Sequence, residues 1–438
     1  MAAINKDFFR EAQPSELALF DLPPTQTAVE NIYYQDVLPI SQITNESSVE
    51  FVLSGQNGME LLDLQNTLLY AKVKIVKADG TNISLTEDVG PINLFLPSLF
   101  QQVDVSLNGK TVVSTTNYSP YKAYIQSLLR YGREAKNTQL GTQIWERDDE
   151  GDMDESSPRN GTNGALLKRA QCFQGSRVVD MVGPVCHDLF RMDRYLINQV
   201  NVGIKLYRSK PAFSLLSGDV APDYRIAFDD IRLRVCKVKI NPAVIYAQSK
   251  ALESTNAKYP FTQTMIKQMT IPVGATNFTY DNMFQGMRPN QVVVGFVKST
   301  GATGDYAENP WYFQGYDVTN IGLYIDGIPV GGNSLKPKYG TDPQTISILR
   351  SMLQSTGKWL DDSGSNIERD DIGLGYALYT FDLEPKFRGG QYLTLLKQGN
   401  VRLDVTFGTA LTETVSCIIY AEYPGYFEVT EARDVILT

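Results

Sequence analysis

The chain has 438 residues, 42% of them hydrophobic and 20% charged, with a formal net charge of −9. One hydrophobic core stops growing at about 250–300 residues, so two cores are expected. The acidic balance argues against a surface that coats nucleic acid, and no apolar run approaches the ~18 residues of a membrane span. The segment 1–10 carries charges and no signal-peptide core, and Ala2 excludes N-myristoylation. Four scattered cysteines, Cys172, Cys186, Cys236 and Cys417, read as reduced, mostly buried thiols of a protein made in the cytosol. The 24 Tyr and 19 Phe suit β-sheet.

Residues 1–28 read as an arm. Leu17, Leu19, Phe20 and Leu22 are its candidate contacts with a neighbour, since they would otherwise be apolar groups left in water, and Pro23-Pro24 stops any helix. Strands are predicted at 49–53, 68–76, 103–107, 200–207 and 231–240. In 103–107, Val103, Val105 and Leu107 alternate with polar residues, and Asn108-Gly109 supplies a two-residue type I′ turn into a return strand begun by Thr111, Val112 and Val113. Ser119 and Pro120 then open a helix with Tyr121, Tyr124, Ile125, Leu128 and Leu129 on one face, and Gly132 is placed to end it in the left-handed conformation. The stretch 133–180 is polar and reads as an exposed loop insertion.

Asn241-Pro242 starts a helical linker over 242–257, which stops before Tyr259-Pro260. The plan then repeats. Strands are predicted at 292–297, 321–325, 376–383, 401–407 and 415–420. Asp326-Gly327 makes the second turn, Asp342-Pro343 opens a second helix with Ile346, Leu349 and Leu353, and Gly357 closes it. Glu368-Arg369-Asp370-Asp371 echoes Glu146-Arg147-Asp148-Asp149. The offset holds at roughly 220 residues over hairpin, helix and acidic motif, which points to two copies of one β-rich unit. Tyr420, Tyr423 and Tyr426 read as an aromatic cluster at a sheet edge.

The catalytic inventory is thin. The chain has one histidine, His187, where a metal-dependent double-stranded β-helix enzyme needs two or three. Cys172, Cys186 and His187 lack a fourth zinc ligand, and a buried or hydrogen-bonded histidine is the better reading. No nucleophile elbow, Walker loop or dinucleotide fingerprint is present. Asp148-Asp149, Asp361-Asp362 and Asp370-Asp371 are read as solvated acidic loops in preference to a glycosidase pair or a calcium site. No catalytic, cofactor-binding or metal residue is assigned. Trp311-Tyr312-Phe313 is the one candidate for a sugar-binding face, with core aromatics the favoured alternative.

Long stretches resemble one family. They are Leu22-Pro23-Pro24-Thr25-Gln26-Thr27, Gly90-Pro91-Ile92-Asn93-Leu94-Phe95-Leu96 running on to Asn108-Gly109, Leu206-Tyr207-Arg208-Ser209-Lys210, Lys239-Ile240-Asn241-Pro242, Ala251-Leu252-Glu253, Ala257-Lys258-Tyr259-Pro260, Phe381-Asp382-Leu383 and Ile419-Tyr420-Ala421-Glu422. Together they resemble the double jelly-roll major capsid proteins of Polinton (Maverick) elements and adintoviruses, of the lineage that includes virophage capsids and adenovirus hexon. The resemblance implies an all-β fold of two tandem eight-stranded jelly rolls, with short helices and long loop insertions. The arm would be 1–28, the first jelly roll 29–241, the helical linker 242–257 and the second jelly roll 258–438. It implies a structural, non-enzymatic protein without cofactors, found in the virion. Three chains would form a pseudo-hexameric trimer that tiles the facets of an icosahedral shell. Partners would be other copies of itself and minor or penton capsid proteins, with no sequence-specific nucleic-acid binding. The alternative is a trimeric jelly-roll protein that binds a carbohydrate or a receptor.

Overall fold

Alternation of apolar and polar residues builds the sheets of this computed structural model, which describes residues 13–20, 22–40, 48–55, 58–112, 118–384 and 393–437. The first ten strands are β1 (Val29–Val37), β2 (Val49–Leu53), β3 (Glu60–Lys77), β4 (Val89–Pro91), β5 (Phe100–Leu107), β6 (Lys110–Thr111), β7 (Val179–Pro184), β8 (Val202–Arg208), β9 (Leu215–Ser217) and β10 (Tyr224–Ile240). They form two four-stranded antiparallel sheets, ordered β1-β10-β3-β7 and β2-β8-β5-β6, and a small β4-β9 pair. In β3, Leu69, Ala71, Val73 and Ile75 turn into the core, and Leu68, Tyr70, Lys72 and Lys74 turn out.

The second set is β11 (Ala257–Ile271), β12 (Asn277–Tyr280), β13 (Met287–Arg288), β14 (Gln291–Lys298), β15 (Val318–Ile325), β16 (Ile328–Pro329), β17 (Leu378–Asp382), β18 (Lys397–Gln398), β19 (Val401–Phe407), β20 (Val415–Val429) and β21 (Val435–Leu437). Its sheets run β11-β20-β14-β17, with β21 added to β20, and β12-β19-β15-β16, plus a β13-β18 pair. The four-stranded orders of the two halves are the same, position for position, while the small pairs and β21 fall at different places along the chain. Phe296 of β14 meets Phe407 of β19 at 5.9 Å across the second sandwich. Both predicted turns form: Asn108 and Gly109 have φ of 48° and 81°, and Asp326 and Gly327 have 49° and 84°.

Buried apolar residues gather into two large clusters, as length predicts, but each borrows from the other half. The cluster around Phe51, Leu69 and Leu233 takes in Tyr259, Phe427 and Val429. The cluster around Val294, Phe296 and Leu403 takes in Tyr121, Tyr124, Trp145, Met153 and Leu166. A small third cluster, Leu61, Val238 and Ile240, lies beside Val244 and Ile245 of the helix Pro242–Leu252, whose cap is Asn241.

Several expectations are corrected. The segment 133–180 is not an exposed loop: it holds the helices Arg133–Asn137 and Gly164–Phe173, and Trp145, Asp148, Met153, Leu166 and Arg169 are buried. Gly132 has φ of −79° and starts the next helix, so Tyr131 ends the first without a left-handed residue. Tyr118, not Ser119, occupies the cap position of that first helix, Ser119–Arg130. The second helix starts later than Asp342-Pro343, at Ile346–Ser355, and Gly357 does close it with φ of 76°. The linker helix ends at Leu252, ahead of Tyr259-Pro260, and Pro260 falls in a strand. It sits inside β11, an edge strand, where a missing N–H is tolerated. β20 lies between β11 and β14 at Tyr420, which is therefore not at a sheet edge, whereas Tyr423 and Tyr426 lie beyond the end of β14 and pair with β11 alone. Val113 lies outside the described residues.

Candidate functional site

The junction between the two halves is the most elaborated surface of the molecule. The helix Ser119–Arg130 leaves the first half and lies on the outer face of β11, β20 and β14. Every residue of it except Arg130 is buried. Gln126 Nε2 donates to Tyr420 Oη at 2.8 Å, and Arg130 pairs with Glu422. Tyr124 stacks on Trp311 at 4.5 Å between centroids, and Tyr121 meets the same indole edge-on at 5.2 Å. Trp311 Nε1 donates to the Asn93 carbonyl at 2.9 Å. Beneath these rings Gly295 is required: a Cβ there would lie 2.5 Å from a ring carbon of Phe313.

At the start of the helix Lys122 Nζ sits 2.6 Å from Asp188 Oδ1, both groups buried. Asp188 also accepts from the Thr264 N–H at 2.8 Å and the Thr264 hydroxyl at 3.0 Å. Burial pushes the Asp188 carboxyl up, but Lys122, the neighbouring His187 and the Thr264 N–H outweigh it and hold it below the usual carboxylate range. A buried charge pair of this kind adds little net stability, yet removal of one partner strands the other. Both members belong to the first half, and the two Thr264 bonds to Asp188 tie them to β11 of the second.

A second buried pair anchors the 133–180 segment. Arg169 bonds Asp148 Oδ1 at 2.6 Å, the Pro91 carbonyl at 3.0 Å and the Glu146 carbonyl at 2.7 Å. Asn163 Nδ2 donates to the same Asp148 oxygen, and Tyr376 Oη donates to the Asp148 carbonyl at 2.9 Å. The two acidic motifs meet here, because Arg147 of the first reaches Asp371 of the second at 2.5 Å. Lys136 is buried with no ion-pair partner among the described residues. Its Nζ donates to the carbonyls of Leu128 at 2.8 Å and Ser365 at 2.5 Å, and burial lowers its pKa to about 7, helped by Arg147 and Lys358.

These pairs settle where the sequence candidates lie. Asp148 and Asp371 are buried in ion pairs, not solvated, whereas Asp149, Asp361, Asp362 and Asp370 are exposed and join no ion pair among the described residues. His187 is buried, and its Nδ1 accepts from the Leu189 N–H at 3.2 Å. Cys236 and Cys417 are buried, Cys186 is half-buried and Cys172 exposed; all four are free thiols. Trp311 and Phe313 are core residues, which removes the candidate sugar-binding face. Among the described residues no group of three His, Cys, Asp or Glu is placed to hold a metal ion, and no helix is long and apolar enough to cross a membrane. A cleft of about 420 Å³ opens beside the junction, lined by Tyr118, Lys122, Met265, Ile266, Lys267 and Met269 among others; no carboxylate lines it. The arm residues Leu17, Leu19, Phe20 and Leu22 are all exposed, Phe20 by 98%.

No protein-family profile matches the sequence. The chain is 22% identical over 430 residues to an uncharacterized protein of Caenorhabditis elegans, covering 95% of this chain and 99% of that one. Solved structures align along nearly the whole length. A chain of the Sputnik virophage matches with a TM-score of 0.66 at 12% identity, over 98% of this chain and 93% of its own. The PBCV-1 virus capsid matches at 0.58 and 11%, over 96% and 99%. The mavirus major capsid protein matches at 0.53 and 12%, over 100% and 96%. With two sandwiches of identical strand order, this defines the class: the chain is an all-β double jelly roll. These three solved structures, which share its fold from end to end, are a virophage chain, a virus capsid and a major capsid protein.

Proposed function

We propose that the chain is the major capsid protein of an icosahedral particle, of the Polinton (Maverick) and adintovirus group, and that it acts as a pseudo-hexameric trimer. The observation that carries this reading is the end-to-end double jelly roll shared with the Sputnik virophage chain. Two jelly rolls of equal plan give a cyclic trimer six similar edges, the geometry that tiles a flat facet. The division into an arm at 1–28, jelly rolls at 29–241 and 258–438 and a linker at 242–257 belongs to the same reading. So do Leu17, Leu19, Phe20 and Leu22, which the arm would press onto a neighbouring copy. A relative of matching length in an animal supports a lineage of capsid genes carried in host genomes. The carboxylates best placed for chemistry, Asp148, Asp188 and Asp371, are held in ion pairs, which supports a structural and non-enzymatic role. Partners would be other trimers and the minor and penton proteins of a virion.

Light scattering after size exclusion at neutral pH tests this. A mass of three chains of 48.8 kDa each, or shells by negative stain, is the expected result. A stable monomer at high concentration would overturn it.

A further inference from the structure

We propose that the outer face of β1 and β10 and the helix Ile346–Ser355 are the two sides of one contact between copies of this chain, and that this contact repeats the junction already made inside it. The inference rests on the trimer reading above and names the surfaces that would close it.

The internal junction has a donor and an acceptor. The donor is the first-half helix, which follows the Asn108-Gly109 hairpin. The acceptor is the outer face of β11 and β20, where Thr264, Ile266 and Tyr420 are buried beneath it. Each part has a counterpart in the other half of the chain. The second-half helix follows the Asp326-Gly327 hairpin, and β1 and β10 hold the same places in their sheet as β11 and β20. Both counterparts are open. On the sheet, Ile32 and Tyr34 are 51% and 52% exposed, and Asp36 lies beside them on the same face. On the helix, Ile346 and Arg350 are exposed, and Leu360 just beyond its end is 71% exposed.

A second element of the junction behaves alike. Beside the first hairpin, Asn108 Nδ2 donates to the Arg433 carbonyl at 2.7 Å and Lys110 Nζ to the Val435 carbonyl at 2.9 Å, so it rests on the segment that follows β20. Beside the second hairpin Ile328 is 71% exposed, and the segment that follows β10, the helix Pro242–Leu252, exposes Tyr246. Every copy therefore carries one unfilled donor side and one unfilled acceptor side of an interface that it has already built once. The occupant that continues this interface is a second copy. On the open sheet Asp36 is already paired with Arg232 and Arg234, at 3.3 Å and 3.2 Å, so the contact is carried by its apolar residues and not by charge. Because donor and acceptor are different surfaces, the contact is head-to-tail, and in the trimer reading three such contacts close a ring.

The test uses two full-length variants, one per side: Ile32→Asp with Tyr34→Asp, and Ile346→Asp with Leu360→Asp. Circular dichroism and melting check that each folds, and Trp359→Ser with Ile328→Ser serves as a milder second helix-side variant. Mass is read by light scattering. Each variant is expected to fall about threefold in mass, to a folded monomer, and a one-to-one mixture is expected to recover a species of two chains, since one intact donor then meets one intact acceptor. If both variants stay trimeric like the parent, this contact is wrong and the capsid reading stands. Two folded monomers that do not pair on mixing also overturn it. A monomeric parent overturns the trimer reading itself.

Discussion

Glu146-Arg147-Asp148-Asp149 and Glu368-Arg369-Asp370-Asp371 are near-copies in sequence and opposites in structure. In the first, Asp148 is wholly buried against Arg169, and Arg147 spans to the other copy. In the second, Arg369 and Asp370 face solvent, and only Asp371 is enclosed, where it accepts from Arg147 and from the Glu368 N–H at 2.7 Å. What separates them is the following chain. Residues 150–173 fold back over the first motif and bring Arg169 and Asn163 with them. A carboxylate run therefore has no fixed meaning as loop or core. The cations that the later chain delivers to it decide.

That contrast can be broken in graded steps. The largest effect is expected for Arg169→Leu, which leaves Asp148 charged and buried without its cation. Loss of about 3–5 kcal/mol is expected in urea unfolding, and a loss under 1 kcal/mol would show that Asp148 relaxes to water. Arg147→Ala removes the bridge between the copies and the guanidinium that lies 5.2 Å from the Tyr376 ring. About 1–2 kcal/mol is expected from differential scanning calorimetry. Lys136 sharpens the comparison through pH. In the folded chain its proton is lost near pH 7, whereas the unfolded chain keeps it to about 10.4. Between those values unfolding takes up a proton, so stability rises with pH, by at most ~1.4 kcal/mol per pH unit. Below pH 7 both states hold the proton and the contribution is flat. Lys136→Met should abolish this slope, and parallel slopes in the two proteins from pH 7 to 9.5 would refute the assignment. Asp370→Ala, on the exposed copy, should change stability by no more than about 0.5 kcal/mol.

Local signals in the sequence were reliable where one residue type has one conformational use. Asn108-Gly109 and Asp326-Gly327 adopt the positive φ values that their turns demand, and 49–53 and 401–407 are strands at the expected bounds. The repeat was legible because hairpin and helix recur in one order. The 133–180 segment was misread because its polar residues are partnered in the fold. Leu166, Ala170 and Phe173 do stand at helical spacing behind the cap Asn163, so that helix had a signal, masked by Lys168, Arg169 and Gln171 between them. The junction had none. Gln126, Tyr420 and Glu422 become neighbours only through a sheet order that no local pattern encodes.

The Ser119–Arg130 helix also sets a clock. Its partner Glu422 lies 292 residues further along the chain. At the ~5–20 residues per second of synthesis, that separation is about 15–60 s. Through that interval Tyr121, Tyr124 and Leu128, later among the most enclosed side chains of the molecule, wait without the surface that covers them. β1 likewise waits for β10, its Val29 pairing with Ile240. The nascent protein thus passes through a long stage with a sticky helix and an unpaired strand, when it is most open to chaperones and to premature encounters with other nascent copies.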